Sequence, residues 1–194
     1  MRKRIANLTS NILNPFLVGI VIILLLSFES ASSILNVLKW SLILIAIGIL
    51  PVFLTVIYLV RKGKLNGIFT SVRRQRTRIY LVAGVCAATG YATLLYFKAP
   101  LMLVAAFASG LCAAVIFLVI NLWWKISLHT AFATALVTVA VILYGWIAII
   151  TAVLVPLIAW ARIELKHHSP AQVFVGALLA ILIVFTTFHL FGLT

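Results

Sequence analysis

The sequence predicts an all-α polytopic membrane bundle of about six to seven spans, and three observations carry that expectation. Hydrophobic residues make up 65% of the 194 positions, against about 45–50% in a soluble domain. They gather into runs close to the roughly 20 residues that cross a bilayer core, and the mean hydropathy is +1.30. Finally, fifteen lysines and arginines face only two acids, and they collect at the borders of the apolar runs.

Seven runs follow one another. Met1-Arg2-Lys3-Arg4 before an apolar stretch resembles a signal peptide. No small-residue cleavage site follows, so a retained first helix is expected over 12–29. The second run is 36–60. The third and fourth, 79–97 and 99–122, are parted by a tight turn at Lys98-Ala99-Pro100. The fifth and sixth, 129–144 and 146–161, are expected to turn near Tyr144-Gly145. The seventh, 170–191, opens on Ser169-Pro170-Ala171-Gln172. Serine caps a helix well, proline suits the first helical position, and glutamine three residues after the cap completes a capping box. Trp123, Trp124, Trp146 and Trp160 fall near span ends, as an aromatic belt requires.

No polar or Pro/Gly-rich stretch forms a linker, so residues 1–194 read as one membrane domain. Cys86 and Cys112 lie within apolar runs and are expected to be buried small hydrophobes, with no disulfide or metal site. Seven spans put every lysine and arginine except Lys39 and Lys98 on one side, with the N-terminus and the loops at 61–78, 123–128 and 162–169. The positive-inside rule then assigns that side to the cytoplasm, in a plasma membrane. Basic charge bordering bilayer spans leaves no soluble surface for nucleic acid. A transporter would need polar groups near the midplane, and only scattered threonines offer them. His189 lies at the far end of the last run and reads as structural.

The chemistry-bearing residues gather on the basic side. His168 sits just before a capped helix start, where backbone N–H groups attract anions and disfavour imidazolium. Ser127 can cap the fifth run, with His129 in its first turn. Arg162 and Lys125 add fixed cations, which a phosphate group needs as charge shifts among its oxygens. Each has a plainer reading: interfacial histidines are often surface residues, and Arg162 and Lys166 can anchor topology. Arg73-Arg74-Gln75-Arg76-Thr77-Arg78 can be an electrostatic footprint on anionic lipid. The coincidence of serine, two separated histidines, arginine and lysine favours function.

Those residues resemble the type 2 phosphatidic acid phosphatase superfamily of membrane lipid phosphatases. The family's second motif is Pro-Ser-Gly-His, and here Ile126-Ser127-Leu128-His129 stands in its place. Its third motif is Ser-Arg, five residues, His, three residues, Asp. Here it reads Ala161-Arg162, five residues, His168, three residues, Gln172. The first motif, Lys, six residues, Arg-Pro, is not present; Arg73-Arg74-Gln75-Arg76 is its arginine-rich counterpart, and Lys125 supplies a lysine charge. The resemblance covers about 61–191, with two leading helices over 12–60.

The resemblance implies a lipid phosphate or diphosphate phosphatase working through phosphohistidine, without metal or other cofactor. His168 is then the nucleophile, and His129 the acid and then the base. Arg162, Lys125, Ser127, Arg73 and Arg76 bind the phosphate. Phosphatidate, phosphatidylglycerophosphate and isoprenyl phosphates are candidate substrates. Gln172 replaces the aspartate that orients the nucleophile; it can accept the hydrogen bond but supplies no charge. On a continuous helix Glu164 would share the face of His168, although Ser169-Pro170 argues for a break. Its alternative is an ion pair with Arg162 or Lys166. His167 is the competing nucleophile, at the wrong spacing from Arg162. The competing function is a non-catalytic relative that binds anionic lipid or a partner.

Overall fold

The computed structural model describes residues 1–69 and 72–194; Thr70 and Ser71, within the 61–78 loop, lie outside the described residues. Its α-helices are α1 (Arg2–Ile12), α2 (Pro15–Ser30), α3 (Ile34–Leu44), α4 (Leu50–Arg61), α5 (Arg73–Tyr96), α6 (Leu101–Asn121), α7 (Leu128–Tyr144), α8 (Leu154–Glu164) and α9 (Pro170–Leu190). A π-helical turn, Ile45–Ile49, joins α3 to α4, and a 3-10 stretch, Gly145–Val153, joins α7 to α8. No strand occurs among the described residues. Five helical stretches are long and apolar enough to cross a membrane, and the bent pair α1–α2 makes up to six. The chain is an integral membrane protein by that measure. It divides into two compact units, Met1–Ile22 with Ile126–Thr194, and Ile23–Lys125.

The first unit corrects the expected start. The helix expected over 12–29 is preceded by α1, an eleven-residue helix that buries Ala6 and Ser10, one turn apart on one face. Asn14 makes the break before α2. Its Oδ1 accepts from the N–H groups of Phe16 and Leu17, both at 3.0 Å, and Pro15 needs no donor at the first position. The two helices meet at 42°.

The stretch Leu128–Glu164 runs for 37 residues. A straight α-helix of that length would measure roughly 56 Å, nearly twice a bilayer core. Instead Gly145 adopts φ +65°, a left-handed conformation that glycine tolerates, and the chain doubles back. Ala133 on α7 packs with Ile158 and Ala161 on α8, and Ala6 of α1 joins them in one fully buried cluster. Small residues let helices approach closely where lipid gives no hydrophobic drive for association. The expected spans at 129–144 and 146–161 are the two limbs of this hairpin. The returning limb holds nine 3-10 and eleven α residues, which together rise roughly 34 Å.

In the second unit, Pro51 falls inside the apolar stretch Ile34–Arg61. The π turn just before it absorbs the lost hydrogen bond, and the Leu50 N–H reaches back five residues to the Ile45 carbonyl. The turn between α5 and α6 falls at Lys98-Ala99-Pro100 as expected, with Lys98 at φ 49°. The Phe107 ring packs onto Gly90 and Gly48, where an added Cβ would come within 2.2 Å and 3.0 Å of it. Asn121 at the end of α6 donates to the Arg73 carbonyl and Thr77 Oγ1, both at 3.2 Å. Cys86 is buried, but Cys112 is exposed, contrary to expectation. On a helix surrounded by lipid, an apolar thiol can face outward as readily as inward.

After α8 the chain closes a Schellman motif. The His167 N–H bonds the Arg162 carbonyl at 3.1 Å, and the Lys166 N–H bonds the Ile163 carbonyl at 2.8 Å. Lys166 takes the left-handed position, φ 55°, where glycine is usual. Lys166→Gly should therefore stabilise the protein by about 0.5–1 kcal/mol. Thermal unfolding in detergent checks this, and a loss of stability would contradict it.

Candidate active site

Two helix starts lie side by side in the first unit. Ser127 caps α7, its Oγ accepting from the Thr130 N–H at 3.4 Å. Ser169 caps α9 through the expected capping box with Gln172. Between them, the Ser127 N–H donates to the Gln172 carbonyl at 3.3 Å. Gly176, one turn further along α9, allows this approach: a Cβ there would sit 2.9 Å from the Ser127 carbonyl oxygen. The two histidine-bearing helix starts are thus adjacent within this unit.

Gln172 Oε1 lies 3.1 Å from His168 Nδ1 and 3.3 Å from the Ser169 backbone nitrogen. The backbone N–H is an obligate donor, so the atom facing it must be the amide oxygen. That oxygen in turn requires a proton on Nδ1 of His168. The neutral imidazole is thereby held as the Nδ1–H tautomer, with Nε2 as its basic nitrogen. Gln172 thus makes the hydrogen bond expected of it.

Arg162 is 1% exposed, His129 3%, His168 6% and Gln172 9%. Burying a guanidinium costs several kcal/mol unless its donors are used. One of them, Nη1, donates to Ser10 Oγ at 2.7 Å. The Arg162 carbonyl meanwhile accepts from the His168 N–H at 3.3 Å. The same residue therefore anchors α1 through its side chain and the His168 loop through its backbone.

The remaining expected site residues are placed differently. Ser127 is fully buried, and its hydroxyl shares a 2.9 Å hydrogen bond with Thr130 Oγ1, so its local task is capping. Lys125, Arg73 and Arg76 belong to the second unit. There, Arg73 Nη1 donates to the Leu122 carbonyl, and Arg76 is buried and hydrogen-bonded to Tyr80. Glu164 pairs with Arg2 at 3.3 Å, in place of the expected Arg162 or Lys166. His189 is at the far end of α9, stacked on Phe185. No group of three or more histidine, cysteine or acidic residues that would hold a metal occurs among the described residues.

Sequence reading missed Ser10 and Thr130. Thr130 had a signal, since it stands three residues after the cap, where a side chain can answer the capping serine. Ser10 had only its one-turn spacing from Ala6. Ser10→Ala should cost about 1.5–3 kcal/mol, the range for a hydrogen bond to a charged group. A detergent unfolding midpoint unchanged from the parent would contradict this. Comparisons with protein-family models, with curated proteins and with solved structures find no match, so function is read from these residues and their geometry.

Proposed function

We propose that this protein is a membrane lipid phosphatase that hydrolyses a lipid phosphate or diphosphate monoester through a phosphohistidine. The observation that carries the reading is the clamp on His168. Gln172 holds the Nδ1–H tautomer and leaves Nε2 as the basic nitrogen, beside the start of α9. Nε2 attacks the terminal phosphorus, the P–N bond forms and the P–O bond to the leaving group breaks, which is the lipid alcohol of a monophosphate or the lipid monophosphate of a diphosphate. His129 protonates the leaving oxygen, then takes a proton from the water that displaces His168 and releases phosphate. Arg162 is the buried cation nearest His168 in sequence, and it is proposed to hold the phosphate. The spacing of Arg162, His168 and Gln172 supports a divergent member of the type 2 phosphatidic acid phosphatases.

One observation favours a second reading, a non-catalytic relative that binds anionic lipid. Gln172 orients His168 but brings no negative charge to stabilise its cation. Loss of charge in the comparable pair of serine proteases costs about 10⁴ in rate, partly through the wrong tautomer. Here the tautomer is retained, so a smaller loss is expected.

Phosphate release from phosphatidate, phosphatidylglycerophosphate and isoprenyl phosphates separates the two. Turnover should fall at least ~10³-fold in His168→Ala, rise in Gln172→Asp and stay unchanged in His189→Ala. Lipid-phosphate binding with no turnover in either the parent or Gln172→Asp would establish the second reading.

Counting α1–α2 as one bent span and the α7–α8 hairpin as two gives seven passes. The proposed topology places the N-terminus and the basic loops in the cytoplasm of a plasma membrane. A cysteine introduced at Lys62, with Cys86 and Cys112 replaced, should react with an impermeant thiol reagent only in inverted vesicles. Labelling of intact cells would reverse the orientation.

A further inference from the structure

The second unit holds a cavity of about 340 Å³ lined by Leu59, Lys64, Leu65, Arg74, Gln75 and Arg78. Leu59 and Leu65 are buried and form its apolar part, while Lys64, Arg74 and Arg78 are exposed cations. Arg74 and Arg78 stand four residues apart, on one face of α5. The arginine run is thus sorted by helical face: Arg73 bonds the Leu122 carbonyl, Arg76 is buried against Tyr80, and only Arg74 and Arg78 enter the cavity. The loop after α4 is pinned onto α5 by a reciprocal pair. Gln75 Oε1 accepts from the Asn66 N–H at 3.2 Å, and Gln75 Nε2 donates to Asn66 Oδ1 at 3.1 Å.

Three cations brought to one cavity repel one another and need a counter-charge. The chain cannot supply it there. Its only acids are Glu29 and Glu164, and neither lines the cavity. The cavity also has a fixed depth, because Leu59 lies two residues before the end of one apolar stretch and Arg74 in the first turn of another. That is where phospholipid headgroups lie.

We propose that this cavity binds the phosphate headgroup of an anionic glycerophospholipid from the surrounding leaflet. The phosphate sits among Lys64, Arg74 and Arg78, and the first acyl carbons rest on Leu59 and Leu65. The volume suits a headgroup, being near the lower end of small-molecule sites. No lining residue belongs to the proposed phosphatase site, so this inference stands or falls independently of that reading.

The test uses the full chain in a neutral detergent, titrated with short-chain phosphatidylglycerol while thermal unfolding is followed. Phosphatidylglycerol should raise the midpoint; phosphatidylcholine and glycerol 3-phosphate at equal concentration should not. Arg74→Gln with Arg78→Gln should weaken the apparent affinity about tenfold or more, and Lys64→Gln should weaken it in the same direction. Arg61→Gln with Lys62→Gln, which removes exposed charges outside the cavity, should leave it within about twofold. All these side chains are exposed, so the variants should fold, and their melts without lipid check that. An equal loss in both double variants would replace the site with a diffuse electrostatic footprint. An equal shift from glycerol 3-phosphate would make the ligand a soluble phosphate. Unchanged affinity in the Arg74/Arg78 variant would exclude the cavity altogether.

Discussion

Gln172 is the residue on which the rest of the first unit depends. Its backbone N–H closes the cap on Ser169, and its backbone carbonyl takes the Ser127 N–H. Its side-chain oxygen takes the Ser169 N–H and faces His168 Nδ1. One amide side chain thus completes the capping box, while the same residue's backbone fastens α7 to α9. A side chain with a single job can drift among rotamers. This one is over-determined, and the orientation of His168 inherits that rigidity.

The candidate site residues of this unit, His129, Arg162 and His168, lie at helix ends, and the bilayer explains why. Within hydrocarbon every backbone group must be satisfied inside the protein, which leaves helix interiors little to offer a substrate. Only at helix starts do N–H groups point outward, together with the positive end of the dipole. The α7–α8 hairpin brings the start of α7 and the end of α8 to one place. Ala6, Ala133 and Ala161 are small enough for α1 to join them there. Arg162 can then be buried against Ser10.

How much of this the sequence revealed depends on the kind of signal. Backbone chemistry was legible: the Ser169–Gln172 capping box, the Ser127 cap, the Lys98-Ala99-Pro100 turn and the break at Gly145 all follow from side chains that act on their own backbone. Facing was not. A soluble helix shows which side is inward by alternating apolar and polar residues, but a helix in lipid is apolar all round. Cys112 therefore gave no sign that it would be exposed, nor Ser10 that it would meet Arg162. Lys166 hid a left-handed position that glycine would have announced. The arginine run was visible, but its division among a backbone carbonyl, Tyr80 and a cavity depends on helical phase and on neighbours distant in sequence.

The scarcity of acid has a consequence for catalysis if a lipid phosphate is the substrate. Glu164 is committed to Arg2, and position 172 is an amide. The negative charge that balances Arg162 and the developing imidazolium must then come mainly from the phosphate itself. Attraction of that kind acts on the ground state and the transition state alike. Uniform binding lowers KM and leaves kcat unchanged, since only interactions that strengthen on the way to the transition state speed the chemical step. A carboxylate beside His168 would act selectively, because the imidazole becomes cationic only as phosphorus is attacked. With glutamine there, the site should hold its substrate tightly and turn it over slowly. Replacing Gln172 by aspartate should then raise kcat while KM rises too, as the new charge repels phosphate in the ground state. A purely structural clasp at position 172 would give no such joint rise.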